Sequence, residues 1–316
     1  MSAIGILAGG GRLPLLVADT VIARGGRVHI VALEGDADPQ VARFPHTWVN
    51  IGAFGRMLAA LRTAGAHELV IAGGIRRPDL RRVRPDWGLV RRIGTVAGML
   101  AGGDNAVLSQ VVRVFEQEGF SVRGAHEVAP DLLAPAGRIG AVPLPEPARA
   151  DADLAFALMA ALAPLDAGQA AVVAGGQVLA IEGAEGTDAM LQRVAEVVPA
   201  AGVPRGVLVK GPKRGQDLRV DMPAVGPRTI DGVAAAGLAG LVLEAGGVLM
   251  LDREEAVRAA DARGITIAGV APGPRALAGV PGPRSARLVG RHRPRPRERA
   301  DLQKGLEAAL CLAPFR

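Results

Sequence analysis

The chain has 316 residues, of which 49% are hydrophobic and 22% charged, so it can bury a core large enough for about two domains. No apolar run reaches the roughly 18 residues that a membrane span needs, and the N-terminus lacks the charged start of a signal peptide. The single cysteine, Cys311, cannot form an internal disulfide, and together these features favour a cytoplasmic protein.

The positive charge is concentrated at the C-terminus. The whole chain has 37 basic and 31 acidic residues, whereas residues 271–316 alone hold ten basic and three acidic ones. The rest is therefore close to neutral, which argues against nucleic acid as a partner. We expect the Pro/Arg-rich tail, residues 271–316, to be disordered, because its composition cannot build a core. Attraction to anionic lipid or nucleic acid is the alternative, and the scarcity of aromatic residues weakens the latter.

Residues 1–130 predict a doubly wound, Rossmann-like α/β domain with a parallel sheet. Short apolar strands alternate with helices, an order that is typical of right-handed crossovers between parallel strands. The predicted elements are the strand AIGILAG, the helix LPLLVADTVIARGG, the strand RVHIVALEG, the helix FGRMLAALRTAG, the strand ELVIAGG, the helix DNAVLSQVVRVFEQEG and the strand FSVRGAHEV.

An internal repeat marks the ends of two of these strands. AGGGRLP at residues 8–14 recurs as AGGIRRP at residues 72–78, with five of seven positions identical. Ligands bind outside the carboxyl ends of parallel strands, and glycine loops expose N–H groups that favour anions. We therefore predict a diphosphate or sugar phosphate between the two loops. The predicted contacts are Gly9, Gly10, Gly11, Gly73 and Gly74, with guanidinium groups from Arg12, Arg76 and Arg77.

A dinucleotide is the weaker interpretation of the first loop. Gly9 and Gly11 fit the first two positions of G-x-G-x-x-G, and Glu34 lies where a ribose-binding acid would. The third glycine position is Pro14, however, whose ring cannot allow the same close packing of helix on strand. A third interpretation is that both loops are merely tight turns.

Two polar residues of this half have structural interpretations. Asp104 precedes a helix and is predicted to be its N-cap. His126 ends the last predicted strand and is interpreted as a satisfied structural histidine. The proline-rich residues 131–150 then predict a linker.

Residues 151–270 predict a catalytic α/β domain with a mixed sheet, because a tight hairpin demands antiparallel pairing. The predicted elements are the helix DADLAFALMAALAPL, the hairpin GQAAVVAGGQVLAIEG, the helix GTDAMLQRVAEVV capped by Thr187, the strands RGVLVKG and DLRVDMP, the helix RTIDGVAAAG, two strands in LAGLVLEAGGVLMLD, the helix REEAVRAADARG and the strand ITIAGVAP.

Three charged clusters carry the candidate chemistry of this half. They are IEGAEGTDAM, with Glu182, Glu185 and Asp188; VKGPKRGQDLRVDMP, with Lys210, Lys213, Arg214, Asp217, Arg219 and Asp221; and EAGG, with Glu244. Mg²⁺ is usually held by one or two carboxylates plus phosphate oxygens, and nearby cations suit a phosphoryl centre. Since H-x-x-x-H, C-x-x-C and G-x-S-x-G are absent from the sequence, zinc hydrolases, thiol chemistry and a serine elbow are not leading interpretations.

Asp221 stands out on pattern alone. In LRVDMP the apolar residues alternate, so Arg219 and Asp221 would share the other face of a strand that ends at Pro223. The alternative is a surface ion pair between residues two apart, which is worth little. The spacing does not decide between the two.

Several ordered segments together resemble a known family. GILAGGGRLP, IGAFGRMLAAL, AGGIRRPD, FEQEGFSVRGAHEV, LDAGQAAVV, AIEGAEGTDAMLQRVA and RVDMPAVGPRTI are similar to the magnesium-dependent UDP-2,3-diacylglucosamine pyrophosphatases of lipid A synthesis, of the two-domain alphaproteobacterial type. The resemblance runs from about Ile4 to Val270. It implies hydrolysis of the substrate's pyrophosphate bond to UMP and 2,3-diacylglucosamine 1-phosphate (lipid X), with Mg²⁺ or another divalent cation.

The resemblance also implies roles for individual residues. The catalytic aspartate of the R-V-D-x-P motif falls on Asp221, the E-G-T-D motif on residues 185–188, and the glycine loop on residues 9–11. Asn105 departs from the acid expected in some relatives, which leaves any metal role there in doubt. As a mechanism hypothesis beside the resemblance, Asp221 with Asp188 and Glu185 would hold the metal at the phosphate oxygens, and Thr187 would contact the substrate. Lys210 or Arg219 would neutralise the charge that grows in the transition state, so the candidate catalytic residues are Asp221, Arg219 and Lys210.

The implied partners are the lipid-linked UDP-sugar and, transiently, the inner face of the inner membrane, and a homo-oligomer is left open. Two other classes remain as alternatives. An NAD-type oxidoreductase would need the complete glycine fingerprint, and a non-catalytic lipid or nucleotide-sugar binding protein would need neither Asp221 nor a metal.

Overall fold

The first sheet is formed by the short buried runs that the sequence predicts, with one addition. Its strands are β1 (Ala3–Ala8), β2 (Arg27–Leu33), β3 (His46–Val49), β4 (Ala66–Ala72) and β5 (Ser121–Arg123). They lie in the order β3-β2-β1-β4-β5, and every neighbouring pair is parallel. The unpredicted strand is β3, in which only Val49 is buried. The computed structural model describes residues 3–75, 83–90, 104–165, 167–201, 206–213 and 215–271.

Helices cover both faces of this sheet. They are α1 (Leu13–Ala23), α2 (Phe54–Thr63), α3 (Trp87–Val90), α4 (Asp104–Gln117) and α5 (Ala125–Val128), with 3₁₀ turns at Pro39–Arg43 and Pro130–Leu132. Successive strand residues point to opposite faces. Ile6 therefore packs with Leu15 of α1, whereas Leu7 packs with Leu61 of α2 and Phe115 of α4. We call the cluster that contains Ile6 and Leu15 the α1-side cluster. The cluster that contains Leu7, Leu61 and Phe115 is the α2-side cluster. The predicted doubly wound, Rossmann-like fold is confirmed.

The second sheet is mixed, as predicted. Its strands are β6 (Gly137–Arg138), β7 (Ala170–Ala174), β8 (Gln177–Ile181), β9 (Val207–Lys210), β11 (Gly240–Glu244) and β13 (Thr266–Val270). They lie in the order β6-β13-β11-β9-β7-β8. The central strands β13, β11 and β9 are parallel, whereas β6, β7 and β8 pair antiparallel. The predicted hairpin is β7–β8, and β6 lies inside the predicted linker.

The helices of this half are α6 (Glu146–Leu162), α7 (Gly186–Ala201), α8 (Pro227–Ala235) and α9 (Arg253–Ala262), with a 3₁₀ turn at Ala163–Leu165. A separate parallel pair consists of β10 (Ala224–Val225) and β12 (Leu249–Met250). The two strands predicted around Gly246 are thus β11 and β12, which belong to different sheets.

Two predicted strands are wrong in whole or in part. In DLRVDMP, residues 217–221 form a helical turn in which the N–H groups of Val220 and Asp221 donate to the Asp217 carbonyl at 3.1 and 3.0 Å. The alternation there has another cause, because Val220 packs on the α2-side cluster and Met222 on the α1-side cluster. FSVRGAHEV is a strand only as far as Arg123, and His126 lies in α5.

The chain crosses between the two halves more than once. Met222, Ala224, Leu249 and Leu251 all pack into the α1-side cluster of the first sheet. The described residues consequently belong to one compact unit, Met1–Leu277. Within the ranges that the structure describes, no helix is both long and apolar enough to span a bilayer. The predicted tail, residues 271–316, lies outside the described residues apart from Ala271.

Candidate active site at the edges of the two sheets

The two glycine loops follow β1 and β4, the strands between which the strand order of the first sheet reverses. The loops bond directly to each other across this point. Gly10 N–H donates to the Gly74 carbonyl at 2.7 Å, and Gly74 N–H donates back to Gly10 at 3.0 Å. Gly9 N–H donates to the Ala72 carbonyl at 2.9 Å. These three N–H groups are therefore engaged by protein backbone.

Close backbone approach explains why both loops need glycine. A Cβ on Gly9 would lie 2.6 Å from the Gly74 carbonyl oxygen, and one on Gly73 would lie 2.5 Å from that of Gly10. The N–H groups of Gly9, Gly10 and Gly74 are thus not free for the expected diphosphate, and its binding through the other loop residues stays a prediction. Gly11 is exposed, with φ +90°, and an added Cβ there would meet nothing within 4 Å. Pro14 occupies the first turn of α1.

Of the three arginines predicted in the loops, Arg12 alone lies within the residues that the structure describes. Arg12 binds Asp252 through two hydrogen bonds, Nε to Oδ2 at 3.1 Å and Nη2 to Oδ1 at 2.9 Å. This contact raises the pKa of Arg12 and joins the start of α1 to the start of α9, and it uses two of the five guanidinium N–H donors. Arg76 and Arg77 lie outside the described residues, and so do the side chains of Asp104 and Asn105.

The turn that carries Asp221 lies at the carboxyl edge of the first sheet. Arg219 packs over Gly124, which directly follows β5, and a Cβ on Gly124 would lie 3.3 Å from the Arg219 Cα. All three guanidinium nitrogens of Arg219 donate, two to Asp217 at 2.9 and 2.8 Å and one to Glu116 of α4 at 2.8 Å. The hydrogen bonds with Asp217 raise the pKa of Arg219 and lower that of Asp217.

Asp221 differs from its neighbours in having no such partner. Its side chain is half-buried, and no hydrogen bond or ion pair joins its carboxylate to another described residue. In a helical turn, residues two apart do not face each other, so the predicted shared face of Arg219 and Asp221 is wrong. Arg219 instead fixes the turn, and the Asp221 carboxylate remains available to a water, a cation or a substrate group.

The carboxyl ends of β8 and β9 bring a second group together at the edge of the second sheet. Lys210, the last residue of β9, donates from Nζ to Thr187 Oγ1 at 2.6 Å. Thr187 donates onward to Glu182 Oε1 at 2.5 Å, and Gln169 N–H donates to Glu182 Oε2 at 2.8 Å. Thr187 is not the residue that precedes α7 as predicted, because the helix begins at Gly186, and its hydroxyl bonds to Lys210 and Glu182.

Both charged ends of this chain are buried. Glu182 and Lys210 are each 9% exposed. Burial lowers the pKa of Lys210, while the negative charges of Glu182 and Asp188 act in the opposite direction. The close approach of Pro212 and Glu244 to Gly247 places the end of β11 beside the loop after Lys210. This edge can hold an anion against a desolvated ammonium group.

The three predicted metal ligands do not form one group. Asp188 accepts from Arg228 at 2.7 Å, and Glu185 pairs with Arg193. The pKa of Glu185 is lowered by its own backbone N–H and by Arg193. Across the ranges that the structure covers, no cluster of three or more His, Cys, Asp or Glu side chains is suited to a metal.

Sequence reasoning named Glu182 but gave it no role, and it overlooked Gln169. Gln169 Oε1 is buried without a hydrogen-bond partner among the described residues, and so is His126 Nδ1. The interpretation of His126 as a satisfied histidine is thus wrong for that nitrogen. The one available signal for Glu182 was its position directly after an apolar strand run, at the edge where ligands bind.

The doubly wound first sheet, the mixed second sheet and the charged edge define a two-part α/β protein whose side chains suit phosphate chemistry. Comparison with known proteins narrows this class. Residues 3–132 match the LpxI N-terminal domain and residues 135–268 the LpxI C-terminal domain. The chain is 43% identical over 277 residues to the UDP-2,3-diacylglucosamine pyrophosphatase LpxI of Caulobacter vibrioides, covering 86% of this chain and 99% of that protein. The chain belongs to the LpxI family.

Proposed function

We propose that this protein hydrolyses the pyrophosphate bond of UDP-2,3-diacylglucosamine, releasing UMP and 2,3-diacylglucosamine 1-phosphate for lipid A synthesis. The observation that carries the proposal is the identity of 43% to a pyrophosphatase of that name over 99% of its length. The fold agrees, since charged side chains lie at the carboxyl edges of both sheets, where α/β proteins bind ligands.

Two residues are proposed to act on the substrate directly. Lys210 neutralises charge on the reacting phosphate, because a buried ammonium interacts more strongly with an anion than an exposed one does. Asp221 orients the attacking water, since its carboxylate has no hydrogen bond to another described residue and can accept from it. Arg219 holds the Asp221 turn through Asp217 and Glu116 and is proposed to act through that turn.

The described residues can bind a divalent cation only if the protein supplies few of its ligands. Asp221 is the predicted ligand that has no cationic partner among the described residues, whereas Asp188 and Glu185 are paired with arginines. Mg²⁺ is commonly held by one or two carboxylates, with phosphate oxygens and water completing its shell. We therefore propose Asp221 as the protein ligand of Mg²⁺. When bound, the cation would polarise the phosphate oxygens.

The test is direct. Purified protein is incubated with UDP-2,3-diacylglucosamine and Mg²⁺, with and without a chelator, and UMP is quantified. We expect UMP release that the chelator abolishes and added Mg²⁺ restores. No UMP release from folded protein would refute the proposed reaction, and release that survives chelation would refute only the metal. Either result also separates an enzyme from a binding protein.

A substrate with two acyl chains also requires access to a membrane surface, and we propose that the protein binds the cytoplasmic face of the inner membrane transiently. Trp87 is 68% exposed and Ile75 is 43% exposed, and the sequence between them is rich in arginine. Such a combination suits an anionic lipid surface. Co-sedimentation with phosphatidylglycerol vesicles, weakened in Trp87→Ala, tests this. Size-exclusion chromatography tests whether the protein forms the homo-oligomer that the sequence leaves open.

A further inference from the structure

The hydrogen-bond directions in the Lys210–Thr187–Glu182 chain are fixed by chemistry. An ammonium group can only donate and an ionised carboxylate can only accept. The Thr187 hydroxyl must therefore accept from Lys210 at 2.6 Å and send its proton to Glu182 at 2.5 Å. This hydroxyl has no proton left for a substrate, so the part of the chain that can meet an anion is Lys210.

Glu182 is itself held at several points. Its second oxygen accepts from Gln169 N–H at 2.8 Å. Its own backbone pairs with Ala170 and Gly168 at 2.9 and 3.0 Å, and at Gly168 a side chain would collide with the Glu182 carbonyl. The carboxylate is therefore rigid, and through Thr187 it sets the direction in which the Lys210 ammonium points.

Lys210 retains two N–H donors beyond the one given to Thr187. No further hydrogen bond to a described residue uses them, although Lys210 is only 9% exposed as a residue. A buried ammonium with unused donors is costly unless an anion completes its shell. The geometry matches a site prepared for one phosphate group.

We propose that Glu182 is a positioning residue, which acts through Thr187 to aim the Lys210 ammonium at a phosphate of the substrate. This inference rests on the proposed function, because the phosphate is that of the UDP-sugar. It assigns Glu182 a role in the reaction without contact to the reacting atoms. It also changes the role of Thr187 from a substrate ligand to the link between the two charges.

Matched variants test the chain. Thr187→Val removes the hydroxyl at nearly constant volume, whereas Thr187→Ser keeps it. Glu182→Gln keeps the shape but presents an amide group where only acceptors fit. Because each broken bond involves a charged group, we expect kcat/KM to fall about 10- to 100-fold in Thr187→Val and Glu182→Gln. Thr187→Ser should restore most of the loss. Glu196→Gln, an exposed change on α7, is the control for charge removal.

A double-mutant cycle separates positioning from a general structural role. Lys210→Met should lower kcat/KM further than Glu182→Gln, and adding Glu182→Gln to Lys210→Met should cost almost nothing more, because the effect of Glu182 passes through Lys210. Additive losses would overturn the inference, as would wild-type kcat/KM in Glu182→Gln. If Glu182→Gln fails to fold, by circular dichroism, equal activities of Thr187→Val and Thr187→Ser would overturn it.

The same assay distinguishes failure of the proposed function from failure of the positioning role of Glu182. Absence of UMP release from the folded wild-type protein would refute the proposed function itself. Normal release by the wild-type protein with no difference between the valine and serine variants would refute only the positioning role of Glu182.

Discussion

The two sheets use the same position, the edge at which parallel strands end, in different ways. At the first sheet the loops after β1 and β4 are closed on each other by the Gly10–Gly74 pair of backbone hydrogen bonds. At the second sheet the end of β9 presents the charged side chain of Lys210, held by Thr187 and Glu182. The centre of the first edge, between β1 and β4, is filled by backbone, and the second edge offers donors to a ligand.

This difference shows that a glycine-rich loop does not by itself mark the position of a binding site. Glycine is required at the first edge because two backbones meet there, within distances that a Cβ could not fit. The second edge depends on ionised side chains. Their electrostatic interaction with an anion becomes stronger as they are removed from water. Substitutions in the glycine loops of the first edge should therefore affect stability, whereas those at the second edge, and those in the Asp221 turn beside β5 on the first edge, should affect activity.

The largest effect is expected from a substitution at Asp221. It is also the strongest test of the difference between the two sheet edges. Asp221→Asn keeps the volume but removes the charge from a carboxylate that has no ion pair with another described residue. We expect kcat/KM for UMP release to fall on the order of 10³-fold, as for the loss of a group that acts in the transition state. The melting temperature should change little, because no ion pair within the described structure is lost.

Asp153→Asn is the matched control, since Asp153 is an exposed carboxylate on α6. It should hydrolyse the substrate at the wild-type rate. Asp221→Asn with activity equal to that of this control, and with an intact fold, would show that the reaction does not depend on the carboxylate.

The next effect is on stability, at the first edge. Gly73 has φ +92°, and a Cβ there would lie 2.5 Å from the Gly10 carbonyl oxygen. Gly73→Ala combines left-handed strain with a collision against backbone, so we expect the free energy of unfolding to fall by about 3–5 kcal/mol in urea titrations. Gly65→Ala is the comparison, because Gly65 has φ +67° with nothing within 4 Å.

Gly65→Ala should lose only the strain, about 1–2 kcal/mol. Equal losses in the two variants would mean that the glycine loops do not pack as described. The contrast between the sheet edges would then have to be abandoned at the first edge.

A smaller effect is expected where the two halves meet, at Arg12. Its paired hydrogen bonds to Asp252 are partly shielded, with the two side chains 44% and 20% exposed. Arg12→Ala should reduce the free energy of unfolding by about 1 kcal/mol. Arg43→Ala removes a pair that is 49% and 52% exposed and should cost less. The opposite ranking would show that the Arg12–Asp252 pair does not join the halves.

Local patterns predicted most of the elements because each apolar run is buried by neighbours of the expected kind. β1, β2 and β4 are covered on both faces, so each ends in a continuous apolar run, and in β1 and β4 the glycines follow directly. The strand prediction was wrong at residues 217–221. The alternation of apolar residues there arises because Val220 and Met222 pack into two different clusters on the first sheet, not because the chain forms a pleated strand. A sequence shows the alternation but not which partner buries each side chain.

The site residues were predicted less completely, for a related reason. The position of Thr187 at the start of a helix predicts a helix cap. Its hydrogen-bond partner Lys210 is distant in sequence, however, and reaches it only because β9 ends beside α7. The repeated glycine loops were visible in the sequence, whereas their pairing with each other was not. Tertiary contacts of this kind carry no local signature.

The smallest expected effect concerns the Asp217–Arg219 pair that holds the Asp221 turn. Hydrogen bonds from Arg219 lower the pKa of Asp217 below its usual value of 3.8. Because the folded-state pKa is depressed, the stabilisation is complete above the unfolded-state pKa and is lost as the pH falls through the folded-state pKa. The difference in free energy of unfolding between wild type and Asp217→Asn should thus be constant from about pH 7 to 5 and should shrink below about pH 4.

Arg219→Ala removes the donor instead of the acceptor, and it should abolish the same acid-dependent component in urea titrations followed by circular dichroism. A difference that stays constant down to about pH 3 would show that the Asp217 carboxylate is not stabilised by the guanidinium in the folded state. The turn would then depend on its backbone hydrogen bonds alone. Asp221 would be oriented by backbone hydrogen bonds rather than by charge, as the glycine loops on the same edge of the first sheet are.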